Sequence, residues 1–190
     1  MKVFIVGTDH RFQTADGGAA GAEIEAFRRF LRDVCSTRSI AAIAEEMCLE
    51  TVHQFGLQKS VCHEEAICLR LKHRYCDPDT EARKPLGIRK EIEVRLQAPG
   101  KLSDRQLAAA MRHEDAKREA IWVQELRCLN TWPVLFVCGA WHAEPFRDLL
   151  ERENIRAEVL ASDWSPNPRR CSGPAPLAAE PTRVGLGVLR

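Results

Sequence analysis

Val3-Phe4-Ile5-Val6-Gly7-Thr8-Asp9-His10 and Leu135-Phe136-Val137-Cys138-Gly139-Ala140-Trp141-His142 share one plan without a gap, an apolar run followed by Gly-x-x-His. A short apolar run that ends in glycine reads as a strand buried on both faces, the kind found in parallel sheets. A third run, Ile40-Ala41-Ala42-Ile43-Ala44, ends abruptly in Glu45-Glu46. Between the first two strands, Ile24, Phe27, Leu31 and Val34 recur at helical spacing, with Arg28, Arg29 and Arg32 on other faces. The stretch 8–21, with Gly17, Gly18 and Gly21, reads as a loop.

Further along, residues 60–71 read as a helix and His73-Arg74-Tyr75 as a short strand, stopped by Cys76-Asp77-Pro78-Asp79. Residues 80–102 are broken by Pro85, Gly87, Pro99 and Gly100. Ser103 and Gln106 form a capping-box pattern at the head of a long uninterrupted helix over 103–129. A helix over about 143–153 and a last strand, Ala157 to Ala161, complete the series. Alternating strands and helices predict a single α/β domain over 1–164, a mainly parallel sheet covered by helices on both faces. Pro166, Pro168, Pro174, Pro176 and Pro181 mark 165–190 as a Pro-rich tail, expected to be disordered or loosely attached.

Lys and Arg number 28 against 27 Asp and Glu, so the chain has no global positive field for nucleic acid or an anionic membrane. A small-molecule or peptide substrate is the expected partner, with a homo-oligomer left open. No run approaches the ~18 apolar residues of a membrane span, and the first residues lack a signal-peptide pattern, so a cytoplasmic protein is expected. The eight cysteines show no CxxC spacing and read as free thiols packed as small hydrophobes.

In a parallel α/β sheet the C-terminal strand ends form the crevice that binds ligands. His10, Glu45 or Glu46, and His142 are all expected there. Glycine in each Gly-x-x-His corner permits close approach of backbone to a ligand or the next element, and the repeat suggests two related corners of one site. Successive strand residues face opposite sides, so one of Glu45 and Glu46 should face the site while the other braces a helix or loop. On the long helix, Leu107, Met111, Trp122 and Leu129 lie within about 60° of one another and Arg118 falls at the centre of that stripe. A guanidinium facing a core needs a partner, Glu45, Glu46 or an anionic substrate group. His10, Glu45, Glu46, Arg118 and His142 are therefore the candidate catalytic set, with Asp9, His73, Arg74, Asp77 and Trp141 as candidate substrate-binding residues. His10, Glu46 and His142 have the chemistry to hold zinc or manganese. Asp79 joins the third strand-end cluster, where the plainer reading is a turn held by Asx hydrogen bonds. His53, His63 and His113 lie on expected helices and read as surface or packing residues. Gly7-Thr8-Asp9-His10 is neither GxGxxG nor a P-loop, and G-x-S-x-G and HExxH are absent from the sequence.

In order along residues 3 to about 160, Gly7-Thr8-Asp9-His10, Ala44-Glu45-Glu46, Arg118-Glu119 and Gly139-Ala140-Trp141-His142 resemble the motif set of the erythromycin esterase-like, TraB, ChaN and Tiki superfamily. The resemblance implies an α/β core with paired histidines and glutamates, hydrolysis of esters or peptides, in some members with a divalent metal, and haem binding in one branch. Carried over by position, His10, Glu45 or Glu46, Arg118 and His142 form the implied functional set. A hydrolase is the leading expectation. A non-catalytic module holding a small anionic ligand or haem in the same crevice is the alternative, and a tail that recruits a partner is a third.

Overall fold

The buried runs sort their side chains to two sides of one sheet. Val3 and Ile5, Ala42 and Ala44, and Val134, Phe136 and Cys138 face one core, while Phe4 and Val6, Ile43, and Leu135 and Val137 face another. This computed structural model describes residues 1–15, 20–97 and 102–166. Its five strands are β1 (Lys2–Thr8), β2 (Ala42–Glu45), β3 (Lys72–Tyr75), β4 (Val134–Gly139) and β5 (Arg156–Trp164), all parallel, in the order β3-β2-β4-β1-β5. The helices are α1 (His10–Thr14), α2 (Gly21–Thr37), α3 (Leu49–Gln54), α4 (Val61–Cys68), α5 (Thr80–Arg83), α6 (Glu91–Gln97), α7 (Asp104–Leu129) and α8 (Ala143–Arg152), with a single 3-10 turn at Ala140–His142. Trp122, Val123 and Leu126 of α7 and Phe146 and Leu150 of α8 cover the first face. Phe12 of α1, Ile24, Phe27 and Leu31 of α2, and Val61 and Ala66 of α4 cover the second. The expected α/β fold, a parallel sheet with helices on both faces, is the observed one.

Several boundaries move for local reasons. The expected loop over 8–21 contains α1, because the Asp9 carboxylate accepts from the Arg11 N–H at 3.0 Å and Phe12 sinks between Phe27 and Trp164. The last strand runs beyond Ala157–Ala161 to Trp164, whose carbonyl accepts from the Thr8 hydroxyl at 3.0 Å and whose ring packs on Phe12, Phe27 and Phe30. The 80–102 region carries α5 and α6. It is tied to α7 by buried Glu114, which accepts from the Arg89 backbone and side chain and from Lys117. The long helix begins at the predicted capping box of Ser103 and Gln106. The Pro-rich stretch from 167 onward, and Cys171 with it, lies outside the described residues. Of the described cysteines, Cys35, Cys48, Cys62, Cys76 and Cys138 are buried and Cys68 and Cys128 exposed, all free. Burial pushes the Cys35 thiol up to about 12. No described helix is long and apolar enough to cross a membrane.

Gly7 has a packing reason. A Cβ there would meet the Ser162 carbonyl oxygen at 2.2 Å, where the β1–β5 register shifts. Gly7→Ala is expected to push β5 from β1 and cost about 1–3 kcal/mol in a denaturant melt.

Charge pairing sets the acid limit of the fold. Glu114 is lowered from 4.5 to about 2: burial opposes its charge, but Lys117 and Arg89 outweigh it. Glu65, Asp77 and Glu119 are lowered against the same opposing burial, by Arg32 and Arg28, by Arg118 and Arg83, and by His142 and Arg112 respectively. Each folded-state value lies below the unfolded one, so the stability these groups contribute is present above about pH 4.5 and is lost as the pH falls towards 2. Urea midpoints measured from pH 6 down to 2 should decline through that window, and a flat profile would contradict the pairing.

Candidate active site

The alternation of a strand separates the two adjacent glutamates. Glu45 faces the α1/α4 side and Glu46, just past the end of β2, faces the α7 side, and both are buried. Each gathers its own cluster.

Glu46 is the centre of the first. Its Oε1 lies 2.5 Å from Arg118 Nη2, 3.3 Å from His142 Nε2 and 3.9 Å from His10 Nε2, and its Oε2 accepts from the Gly139 N–H at 2.8 Å. Arg118 also donates from Nε to Asp77 at 2.9 Å and from Nη1 to Asp115 at 3.3 Å. Asp77 accepts in addition from Trp122 Nε1 at 3.1 Å and from Arg83. Burial opposes the Arg118 charge, but Glu46 and Asp77 outweigh it and raise its pKa. The guanidinium predicted to need a partner therefore has three, and its donors are committed to carboxylates, which makes it a brace for Glu46.

His142 is held from behind. Its Nδ1 lies 2.8 Å from the buried Glu119 carboxylate, which Arg112 grips through both oxygens at 2.8 and 2.7 Å. A carboxylate only accepts, so Nδ1 carries the hydrogen and Nε2 is turned towards Glu46. Burial alone would lower the His142 pKa, but the Glu119 hydrogen bond and the Glu46 charge outweigh it and raise the value. The carboxylates of Glu46, Asp77, Asp115 and Glu119 face the guanidinium groups of Arg118, Arg83 and Arg112, so a proton on His142 brings this cluster to neutrality.

The second cluster surrounds Glu45. It accepts from the Ser60 hydroxyl, from Gln13 Nε2 at 3.1 Å and from His73 Nε2 at 2.8 Å. The His73 ring stacks on His63 at 4.2 Å, and His63 Nδ1 lies 3.0 Å from the Tyr75 hydroxyl. Gln13 joins the two clusters, because its Oε1 is 2.9 Å from His10 Nδ1.

The two Gly-x-x-His corners are neighbours but not equivalents. Aligned on their glycines, Val3 matches Leu135, yet in the sheet Val3 pairs with Val134 and Thr8 with Gly139. That one-residue offset turns the two corners to opposite faces. His10 opens a helix on one side, whereas His142 ends a 3-10 turn on the other. A Cβ at Gly139 would lie 3.0 Å from His10 Nε2 and 3.4 Å from Glu46 Oε2, so this glycine is the gap through which His10 reaches Glu46. His10 remains half exposed while His142 and Glu46 are buried.

Other candidates are placed elsewhere. Exposed Asp9 caps α1, and Asp79 caps α5 by accepting from the Ala82 N–H, the plainer reading given to that turn. Arg74 faces the opposite side of β3 from His73 and binds Glu125 at the surface, so it leaves the site. Trp141 is 90% exposed beside His142. His53 and His113 are exposed, whereas His63 belongs to the Glu45 cluster. Sequence reasoning missed the roles of Gln13, Ser60, Asp115 and Glu119. A signal for two of them existed: Asp115 and Glu119 share the face of α7 that carries Arg118 and Trp122, spaced i, i+3, i+4 and i+7.

The donors that a divalent ion prefers are present in His10, Glu46 and His142, but the Glu46 oxygen nearest both rings is bonded to the positive Arg118. Among the described residues no group of three or more His, Cys, Asp or Glu side chains is arranged to hold a metal ion. No family model, no curated protein and no solved structure matches the chain.

Proposed function

We propose that this chain is a hydrolase of ester or peptide bonds, working at the C-terminal ends of β1, β2 and β4. The observation that carries the reading is that two imidazole Nε2 atoms, from His10 and His142, face one buried carboxylate oxygen of Glu46. Their environments divide the labour. Half-exposed His10 is the general base that takes a proton from water, and His142, whose pKa Glu119 and Glu46 raise against the opposing burial, is the acid that polarises the carbonyl and protonates the leaving group. Glu46 lies before both rings and pairs with that of His142, and Arg118 with Asp77 holds Glu46. The ordered resemblance to the erythromycin esterase-like, TraB, ChaN and Tiki superfamily points to the same class of chemistry.

No step in this mechanism passes through a metal, since the geometry at Glu46 does not fit one. Purified protein assayed on a panel of esters and peptides, before and after chelation and with elemental analysis, tests the reading. Turnover that survives chelation is expected. Turnover that depends on stoichiometric zinc or manganese would replace general-base chemistry with the metal-assisted form. Stoichiometric binding of a small anion or haem without turnover would contradict the hydrolase.

A further inference from the structure

We propose that Gln13 is a positioning residue that decides which nitrogen of His10 carries the hydrogen, and that Glu45 sets the direction of its amide. Gln13 is fully buried and stands three residues after His10 on α1. Its Nε2 lies 3.1 Å from Glu45 Oε2 and its Oε1 2.9 Å from His10 Nδ1. Every other partner of Glu45 named above is a donor, the Ser60 hydroxyl and the His73 ring N–H. A carboxylate so surrounded accepts, so the amide turns its NH2 to Glu45 and its carbonyl to His10. A carbonyl accepts too. His10 Nδ1 therefore carries the hydrogen, and the lone pair of the neutral ring falls on Nε2, the atom lying over Gly139 towards Glu46.

The orientation matters because a free histidine side chain favours the opposite tautomer, with the hydrogen on Nε2. In that form the nitrogen facing the site has no lone pair to accept a proton. Glu45, on the far face of β2 from Glu46, thus acts on the site through one amide. This is the second use of the Glu45-Glu46 pair: one carboxylate lies in the site and the other orders its base from behind, as hydrogen-bonding partners outside a centre orient the groups within it. The catalytic consequence rests on reading His10 as the base, whereas the proton assignment does not.

Nitrogen NMR of 15N-histidine-labelled full chain, raised to a pH where the rings are neutral, reads the tautomer, with His10 identified by its loss in His10→Gln. The neutral ring is expected to be the Nδ1–H form in the wild type and to shift towards Nε2–H in Gln13→Met. On any substrate found, Gln13→Met should lower kcat by about tenfold and leave KM unchanged. An Nε2–H ring in the wild type, or an unmoved tautomer in Gln13→Met, overturns the proposal. The wild-type measurement needs no variant, and a Gln13→Met/Glu45→Gln double variant, which leaves no buried carboxylate unpaired, repeats the test should the single variant fail to fold. A shifted tautomer with unchanged kcat would support the hydrogen-bond assignment while overturning the role of His10, so the two failures are distinguishable.

Discussion

Arg118→Met should destabilise the domain by about 3–5 kcal/mol, the usual cost of leaving a buried charge without its partner. The substitution keeps an unbranched apolar stem and removes the guanidinium, including its contact over the Trp122 ring, so the loss is dominated by the charge. Glu46 would keep only the Gly139 N–H among its short hydrogen bonds, and Asp77 would keep Trp122 and Arg83. For a chain of this length the melting temperature should fall by on the order of 10 °C. Part of the loss should be recovered in Arg118→Met/Glu46→Gln, which removes one of the stranded charges. A single variant that melts with the wild type would mean that the guanidinium is not holding these carboxylates.

His142→Ala is expected to lower turnover by about 10²–10⁴-fold, because it removes the proposed acid. It also leaves Glu119 bound only by Arg112, so that carboxylate stays paired and the fold should survive. Loss of activity with an intact melt separates chemistry from folding. His10→Ala should fall as far in turnover and less in stability, since its ring is half exposed.

The legible parts of the sequence were those with a strong local signature. Apolar runs without alternation can only be covered on both sides, which made β1, β2 and β4 readable, and an uninterrupted stretch behind a capping box made α7 readable. Arg118 stood out because its position within an apolar stripe demanded partners, and Glu46 and Asp77 supply them. Strand alternation foretold that Glu45 and Glu46 would part company. The five residues of α1 are too few to show a helical period, and they sit beside a glycine cluster that reads as loop. The offset between the two Gly-x-x-His corners depends on how β1 pairs with β4, which motif alignment does not encode. Gln13 and Ser60 are ordinary polar residues until folding brings them to Glu45, so nothing local could mark them, whereas Glu119 was marked only by sharing the Arg118 face of α7.

The most direct test of a single hydrolytic centre is a kinetic cycle: kcat/KM on one hydrolysed substrate for the wild type, His10→Ala, His142→Ala and the double variant, each verified as folded. Residues that act as one unit are non-additive, so each single change should cost about 100-fold or more and the double variant should be scarcely worse than either. Wild-type turnover in either single variant, or losses that multiply in the double variant, would contradict the account.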